Sequence, residues 1–305
     1  MRIHRDWTTA GFGLDPLSAD VGPFPGPAML QVWWELRGSG DLQLVENDEA
    51  LLALHHNGET IRMIGEPDLF DYHSPLGADA ARLVAEWAEE LEPGLSIDFD
   101  SLPGDAADEL MSGLSKAGLV PAAEVHESAA VLSLPSDYES YLAQLHKKQR
   151  HETRRKHRRF SEILGEPHLR RTSGAEALAR FAEMHRKASG DKGTFMTPEM
   201  EQYFARLHVA SDAHFDFLYG DGDSPVAAAF SFEDARCYYL YNSAYDPDAA
   251  AASPGIVLVS ELIRRSIEDG KARFDFLKGD EIYKYRLGAE ARPLWRITAT
   301  TGAHQ

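Results

Sequence analysis

The sequence predicts a mixed α/β protein built from two domains, and three observations carry that reading. The second half orders its elements as strand, three helical stretches, a three-strand meander, helix, strand, short helix and strand, which gives a mixed sheet with one parallel pair. The first half mixes short strand-like runs with two helical periodicities. The chain has 305 residues, about two domains at roughly 150 residues each, and the pattern breaks between Pro121 and Pro135. The expected domains are 1–128 and 129–305.

Residues 1–27 are turn-rich. Pro23, Pro25 and Pro27 remove three backbone donors and exclude regular helix or central strand there. Helical spacing follows around Met29, Val32 and Trp33. Leu42–Val45, Leu51–Leu54 and Thr60–Ile64 then read as an antiparallel meander. Ala81, Val84, Ala85, Ala88 and Leu91 share one helical face, and Pro93-Gly94 ends that helix. Ser96–Phe99 reads as a strand and Asp105–Ala117 as a helix closed by Gly118.

In the second half Ala129–Leu134 reads as a strand. A single long helix is expected from Ser136 or Asp137, as N-cap, to about Leu164, where Gly165 stops it. Helices are expected over about 175–188, 198–210 and 255–268, and a short one over 281–287. Strands are expected over 215–219, 226–232, 236–243, 272–277 and 294–300.

Composition narrows the function. Hydrophobic residues make up 43% and charged residues 26%, the range of a globular chain rather than a disordered or fibrous one. No apolar run reaches the roughly 18 residues that span a bilayer, and Met1–Trp7 lacks the apolar region of a signal peptide; a cytoplasmic location is expected. The single cysteine, Cys237, excludes an intrachain disulfide and a Cys-based zinc site. No HExxH, CxxC or carboxylate pair at metal spacing occurs, so no metal is expected. A net charge of −18 opposes broad nucleic-acid binding, yet eight of the 31 Lys/Arg fall within residues 147–159.

Two segments resemble a known family. One is Tyr138–Arg150, with Leu-His-Lys-Lys-Gln-Arg, followed by Arg154-Arg155-Lys156-His157-Arg158-Arg159. The other is Phe274-Asp275-Phe276-Leu277-Lys278-Gly279-Asp280-Glu281-Ile282-Tyr283-Lys284. They resemble the opening helix and the closing signature of CelD/BioF-like acetyltransferases, a group within the GNAT superfamily related to the Fem-type aminoacyl transferases. The resemblance covers about 130–300. It implies two GNAT-like domains in tandem, the N-terminal one degenerate. It further implies acyl transfer, usually from acyl-CoA (acetyl-CoA above all), to a small-molecule or peptide amine. Fem-type relatives use aminoacyl-tRNA instead, so tRNA is the donor under that alternative. A catalytically inactive GNAT-fold binding protein is the other alternative. Ordinary GNAT enzymes carry a Q/R-x-x-G-x-G/A loop for pyrophosphate; this chain has Ser253-Pro254-Gly255 before the equivalent helix.

The candidate residues follow. At 3.6 residues per turn Arg150, Arg154 and Arg158 share a helix face with Lys147, and Arg155 lies on the neighbouring face. That face suits the phosphates of a donor, or else is a solvated surface paired with acidic neighbours. Gly255 lets a phosphate approach a helix N-terminus. The resemblance gives Lys284 the role of neutralising phosphate or the developing oxyanion. Tyr283 is either the acid for the departing thiolate or a packed aromatic. Asp275, Glu281 and His185 are candidate acceptors of the amine proton. Asp71, Tyr72, His73, Arg186, Lys192 and Tyr241 are the substrate-binding candidates. The first three are placed by the resemblance, and Lys192 lies in a Gly190/Gly193 loop read as a substrate lid.

Overall fold

The computed structural model describes residues 1–8, 10–188 and 191–302, with the backbone alone at 191 and 192. In chain order the elements are β1 (Arg2–His4), α1 (Pro27–Arg37), β2 (Asp41–Glu46), β3 (Ala50–Asn57), β4 (Thr60–Met63), β5 (Leu76–Gly77), α2 (Ala80–Glu89), β6 (Ser96–Leu102), α3 (Gly104–Lys116) and β7 (Ala122–Ser133). Then come α4 (Tyr138–Gln144), α5 (Lys147–Leu164), β8 (His168–Thr172), α6 (Ala175–Lys187), α7 (Asp191–Phe195), α8 (Pro198–Ala210), β9 (His214–Tyr219), β10 (Ala227–Glu233) and β11 (Cys237–Tyr245). A 3-10 turn (Pro247–Ala252), α9 (Pro254–Glu268), β12 (Arg273–Lys278), α10 (Ile282–Arg286) and β13 (Glu290–Thr300) complete the chain. Two compact units result. The first comprises Met1–Ala129 with the segment from Arg292, and the second Ala130–Ala291. The C-terminal segment from Arg292, which the sequence places in the second domain, clusters with the first unit.

In the first unit the strands follow the order β1-β2-β3-β4-β6-β13. All neighbours are antiparallel except β4 and β6. Successive residues of a strand face opposite sides. Accordingly Ile97 and Phe99 of β6 enter a core with Leu83, Val84 and Trp87 of α2 and Leu110 and Leu114 of α3, and Asp98 and Asp100 point away from it. Gly113 allows α2 and α3 to approach: a Cβ there would lie 2.7 Å from Cβ of Val84.

In the second unit the order is β12-β11-β10-β9-β8, parallel between β12 and β11 and antiparallel elsewhere. Val257, Leu258, Leu262 and Ile263 of α9 pack with Tyr238, Phe274 and Phe276 of the sheet and Phe160 of α5. Burying such a side chain contributes about 1.5–3 kcal/mol.

The single helix expected over 136–164 is in fact two. Leu145, 5% exposed in the core, takes an extended conformation, φ −65° and ψ 143°, and His146 then caps α5, accepting from the Lys148 N–H at 3.4 Å. Strand β8 has too few apolar residues to show in the sequence; it is an edge strand held by pairing with β9. Among the described residues no helix is long and apolar enough to cross a membrane, and no cluster of three or more His, Cys, Asp or Glu is placed to hold a metal ion.

Candidate functional site

An opening lies in the second unit, where α5, the start of α9 and α10 meet. One cavity of about 360 Å³ is lined by Lys148, Glu152, Lys156, Ile256, Tyr283 and Arg286, with Gln149, Thr153 and Leu287 beside them. A second, of about 310 Å³, is lined by Tyr245, Ser253, Gly255, Val259 and others. Both share Lys156, Ile256 and Tyr283, so they are lobes of one cleft.

Helical spacing explains the first lobe. Lys148, Glu152 and Lys156 are successive i, i+4 positions on α5. The first lobe therefore meets three cations and one carboxylate. Burial and the neighbouring charges of Arg155 and Arg286 depress the Lys156 pKa, while Glu152 opposes them. An anion in the lobe relieves that repulsion.

The start of α9 supplies the other wall. Ser253 caps the helix in the left-handed region, φ 55° and ψ 48°, Pro254 occupies the first turn, and Gly255 follows. A Cβ on Gly255 would come within 3.3 Å of the Tyr245 ring, so glycine keeps this wall open. A helix N-terminus carries roughly half a positive charge and favours phosphate.

Tyr283 of α10 reaches both lobes. Burial, and secondarily the Glu281 carboxylate, push its phenol pKa well up, so it stays protonated. Lys284, one residue on, points the other way. It is 3% exposed, and its Nζ donates to the carbonyls of Leu277, Lys278 and Gly279 and pairs with Glu281 at 2.9 Å. It ties down the turn between β12 and α10 and lines neither lobe. Gly279 takes φ +107° there; a Cβ would fall 2.4 Å from Glu281 Oε2 and 3.0 Å from Lys284 Nζ.

The other sequence candidates fall outside the cleft lining. Asp275 is 1% exposed and accepts the Leu277 N–H at 2.7 Å, fixing the end of β12 where Leu277 has φ +61°. His185 is buried; its Nε2 is 3.0 Å from Asn242 Oδ1 and its ring packs on Phe181 and Phe195. Arg186 bonds the Met196 carbonyl and pairs with Glu201. Tyr241 sits among Phe204, Phe230 and Phe232. On α5, Arg150 bonds the Leu142 and Ala143 carbonyls, Arg154 pairs with Glu139 at 3.0 Å, Arg155 forks onto Glu152, and Arg158 lies 3.9 Å from Glu162. Gly255 alone of the predicted donor-binding residues, with Tyr283, lines the cleft. The side chain of Lys192 and the Gly190 end of the expected lid lie outside the described residues.

Asp71, Tyr72 and His73 belong to the first unit. Asp71 is half-buried; Tyr72 is fully buried beneath the Arg292 guanidinium, 4.9 Å from its ring centroid. His73 borders a separate cavity of about 240 Å³.

Sequence reading missed Lys148, Lys156 and Arg286 as a set. The first two were visible in the basic run, but the chosen face was one step round the helix. Arg286 lies 130 residues beyond Lys156 and is joined to it only by the fold.

Comparison with known proteins agrees with the fold. Residues 147–285 match the acetyltransferase (GNAT) domain family. No curated protein matches the chain. A conserved protein of unknown function from Bacteroides thetaiotaomicron superposes with TM-score 0.66 at 15% identity, covering 95% of each chain. FemX superposes with TM-score 0.60 at 11% identity, covering 88% of this chain and 90% of its own. L-PGS from Bacillus licheniformis superposes with TM-score 0.58 at 13% identity, covering 91% and 93%. At these identities the likeness is one of fold: mixed α/β, shared across both units.

Proposed function

We propose that this chain, whose residues 147–285 match the acetyltransferase (GNAT) domain family, is a member of the GNAT superfamily and transfers an acyl group, acetyl in the first instance, from acyl-CoA to an amine by direct attack in a ternary complex. Within that superfamily we read it as a CelD/BioF-like member with an N-terminal degenerate GNAT-like domain. The observation that carries the reading is the cleft at the start of α9, where Lys148, Lys156 and Arg286 face a helix N-terminus. Donor phosphates fit the cationic lobe. The second lobe, with Tyr245, Val259 and Tyr283, suits the less polar arm and the thioester.

In the reaction the amine lone pair attacks the thioester carbonyl. The C–N bond forms and the C–S bond breaks. The ammonium proton passes to water in the open cleft, the departing sulfur takes a proton from Tyr283, and Tyr283, whose buried phenol is the favoured form, regains a proton from that water. Lys284 acts as a positioning residue that holds α10, and with it Tyr283 and Arg286, against the cleft.

Thermal denaturation with acetyl-CoA, longer acyl-CoAs, free CoA and deacylated tRNA tests this. A ligand held at 100 times its Kd stabilises by about 2.7 kcal/mol. A shift with an acyl-CoA, followed by release of free thiol in the presence of amines, supports the reading; no shift with any CoA species overturns it. A shift with tRNA favours the Fem-type reading, for which the exposed Arg154 and Arg158 on the cleft-forming helix speak. Its affinity would then fall steeply with salt. Binding of CoA without turnover of any amine supports an inactive GNAT-fold binding protein.

A further inference from the structure

A second pocket lies wholly within the first unit and does not depend on the cleft above. Its floor is the sheet face opposite the α2–α3 core. Arg62 of β4, Asp98 and Asp100 of β6 and Arg296 of β13 line it, on three neighbouring strands. The segment after β4 contributes Gly65 and His73 as its rim.

The two walls differ in chemistry. On one, Asp98 holds two guanidiniums: Arg296 forks onto it at 2.7 and 2.9 Å, and Arg62 Nε lies 3.4 Å away. Both arginines are more than one third exposed, and a guanidinium has five N–H donors, so each keeps donors beyond those aimed at Asp98. On the other wall His73, 5% exposed, directs Nδ1 at both the carbonyl and Oδ1 of Asp100, each at 3.0 Å. Both partners are acceptors, so Nδ1 donates to them, and the tautomer protonated there presents a lone pair at Nε2. That Nε2 is buried without a hydrogen-bond partner among the described residues. It faces Gly65, where a Cβ would stand 2.7 Å from it. A buried polar atom of this kind calls for a partner.

The dyad is held firmly. Phe70 stacks on the imidazole, centroids 5.5 Å apart, and Ser101 donates to Asp100 Oδ1 at 2.8 Å. The Ser101 carbonyl accepts the His73 N–H at 3.0 Å, with Ser101 fully buried at φ +58°. A non-glycine residue held there is strained, and such strain clusters at functional sites.

We infer that this pocket binds a small zwitterion of the amino-acid type. Its carboxylate meets the Arg62 and Arg296 guanidiniums, and its amino group donates to His73 Nε2. The two guanidiniums and two carboxylates balance, which matches a ligand with one charge of each sign.

The test titrates the full chain with glycine, L-serine and L-glutamate, with acetate as a carboxylate alone and ethanolamine as an amine alone. It follows the His73 ring resonance by NMR and the melting temperature. A zwitterion should bind at millimolar concentration or below, shift the His73 ring signal, and bind more tightly than acetate or ethanolamine. Arg62→Met, at a half-exposed position, should weaken it by about tenfold or more. His73→Asn keeps a donor toward Asp100 and removes the Nε2 lone pair, and should weaken it similarly. Absence of a zwitterion-induced shift overturns the proposal, as does undiminished binding by Arg62→Met. Acetate binding as tightly as the zwitterions also overturns it, since the site is then a plain anion site.

Discussion

The second unit contains two dense charge clusters, and they do opposite things. Around Asp216 of β9 every charge is answered. Arg171 reaches it at 3.1 Å and Arg265 at 2.7 Å, the Tyr238 hydroxyl donates at 2.8 Å, and Arg171 also pairs with Glu233 at 2.8 Å. In the cleft of α5, α9 and α10, three cations face one carboxylate that is already forked by Arg155. Charge density alone therefore marks nothing. The closed network holds strands together; the unbalanced one is where a ligand's charge has a place to go.

The sharpest way to break that contrast is Asp216→Ala. It leaves Arg171 and Arg265 without their buried carboxylate and should cost about 3–5 kcal/mol of stability, read by denaturant unfolding, with CoA affinity of the folded fraction unchanged. Loss of CoA affinity at full stability would mean the Asp216 cluster is the ligand site. The same residue predicts acid behaviour. Burial raises its pKa, but hydrogen bonds from His214 and Arg171 outweigh that and hold it well below the usual carboxylate range. Its contribution is present above the unfolded carboxylate pKa near 3.9. It is lost as pH falls through the folded value.

Next in size is His157 of α5, whose pKa burial depresses to about 4. Its folded value lies below the unfolded one, so the unfolded state takes up more protons between them. Stability should fall as pH drops from roughly 6.5 to 4, by on the order of 3 kcal/mol. His157→Gln should flatten that part of the stability profile; an unchanged profile refutes the assignment.

Smaller still are the cleft cations. Lys156→Met and Arg286→Met should each weaken CoA binding by about tenfold, the loss of one charge-assisted contact of 1.5 kcal/mol or more. Equilibrium binding at fixed salt measures this. Arg154→Met, outside the cleft lining, should alter stability by no more than about 0.5 kcal/mol. It should leave CoA affinity within about twofold, and a tenfold loss there would move the binding face back to the one read from the sequence.

Much of the fold was legible because local rules agree with it. Pro198–Ala210 begins at a proline behind a Thr cap and reads as a helix from either end. The alternation Phe274-Asp275-Phe276 assigns two rings to the core and the carboxylate to the other side, as found. The break at Leu145 was not legible. Residues 138–164 have helical periodicity throughout, and only burial of Leu145 in the core divides them.

The site was legible in part for the same reason. The basic run and the Gly279–Lys284 signature locate the region, because composition and spacing are local quantities. The direction of each side chain is not local. Tyr283 and Lys284 are chain neighbours, yet one lines the cleft and the other is turned onto three carbonyls by the path of the Gly279 turn. The sequence by itself determined most of the element order, though not β8 or the division of α4 from α5, together with the mixed sheet and the cationic helix, each a matter of periodicity, turn chemistry and charge count. Only the tertiary structure decided which cations face an opening, since that depends on which helix face α9 and α10 leave uncovered. It alone brought Arg62, Asp98 and Arg296 together with His73, for strands adjacent in a sheet join residues far apart in the chain.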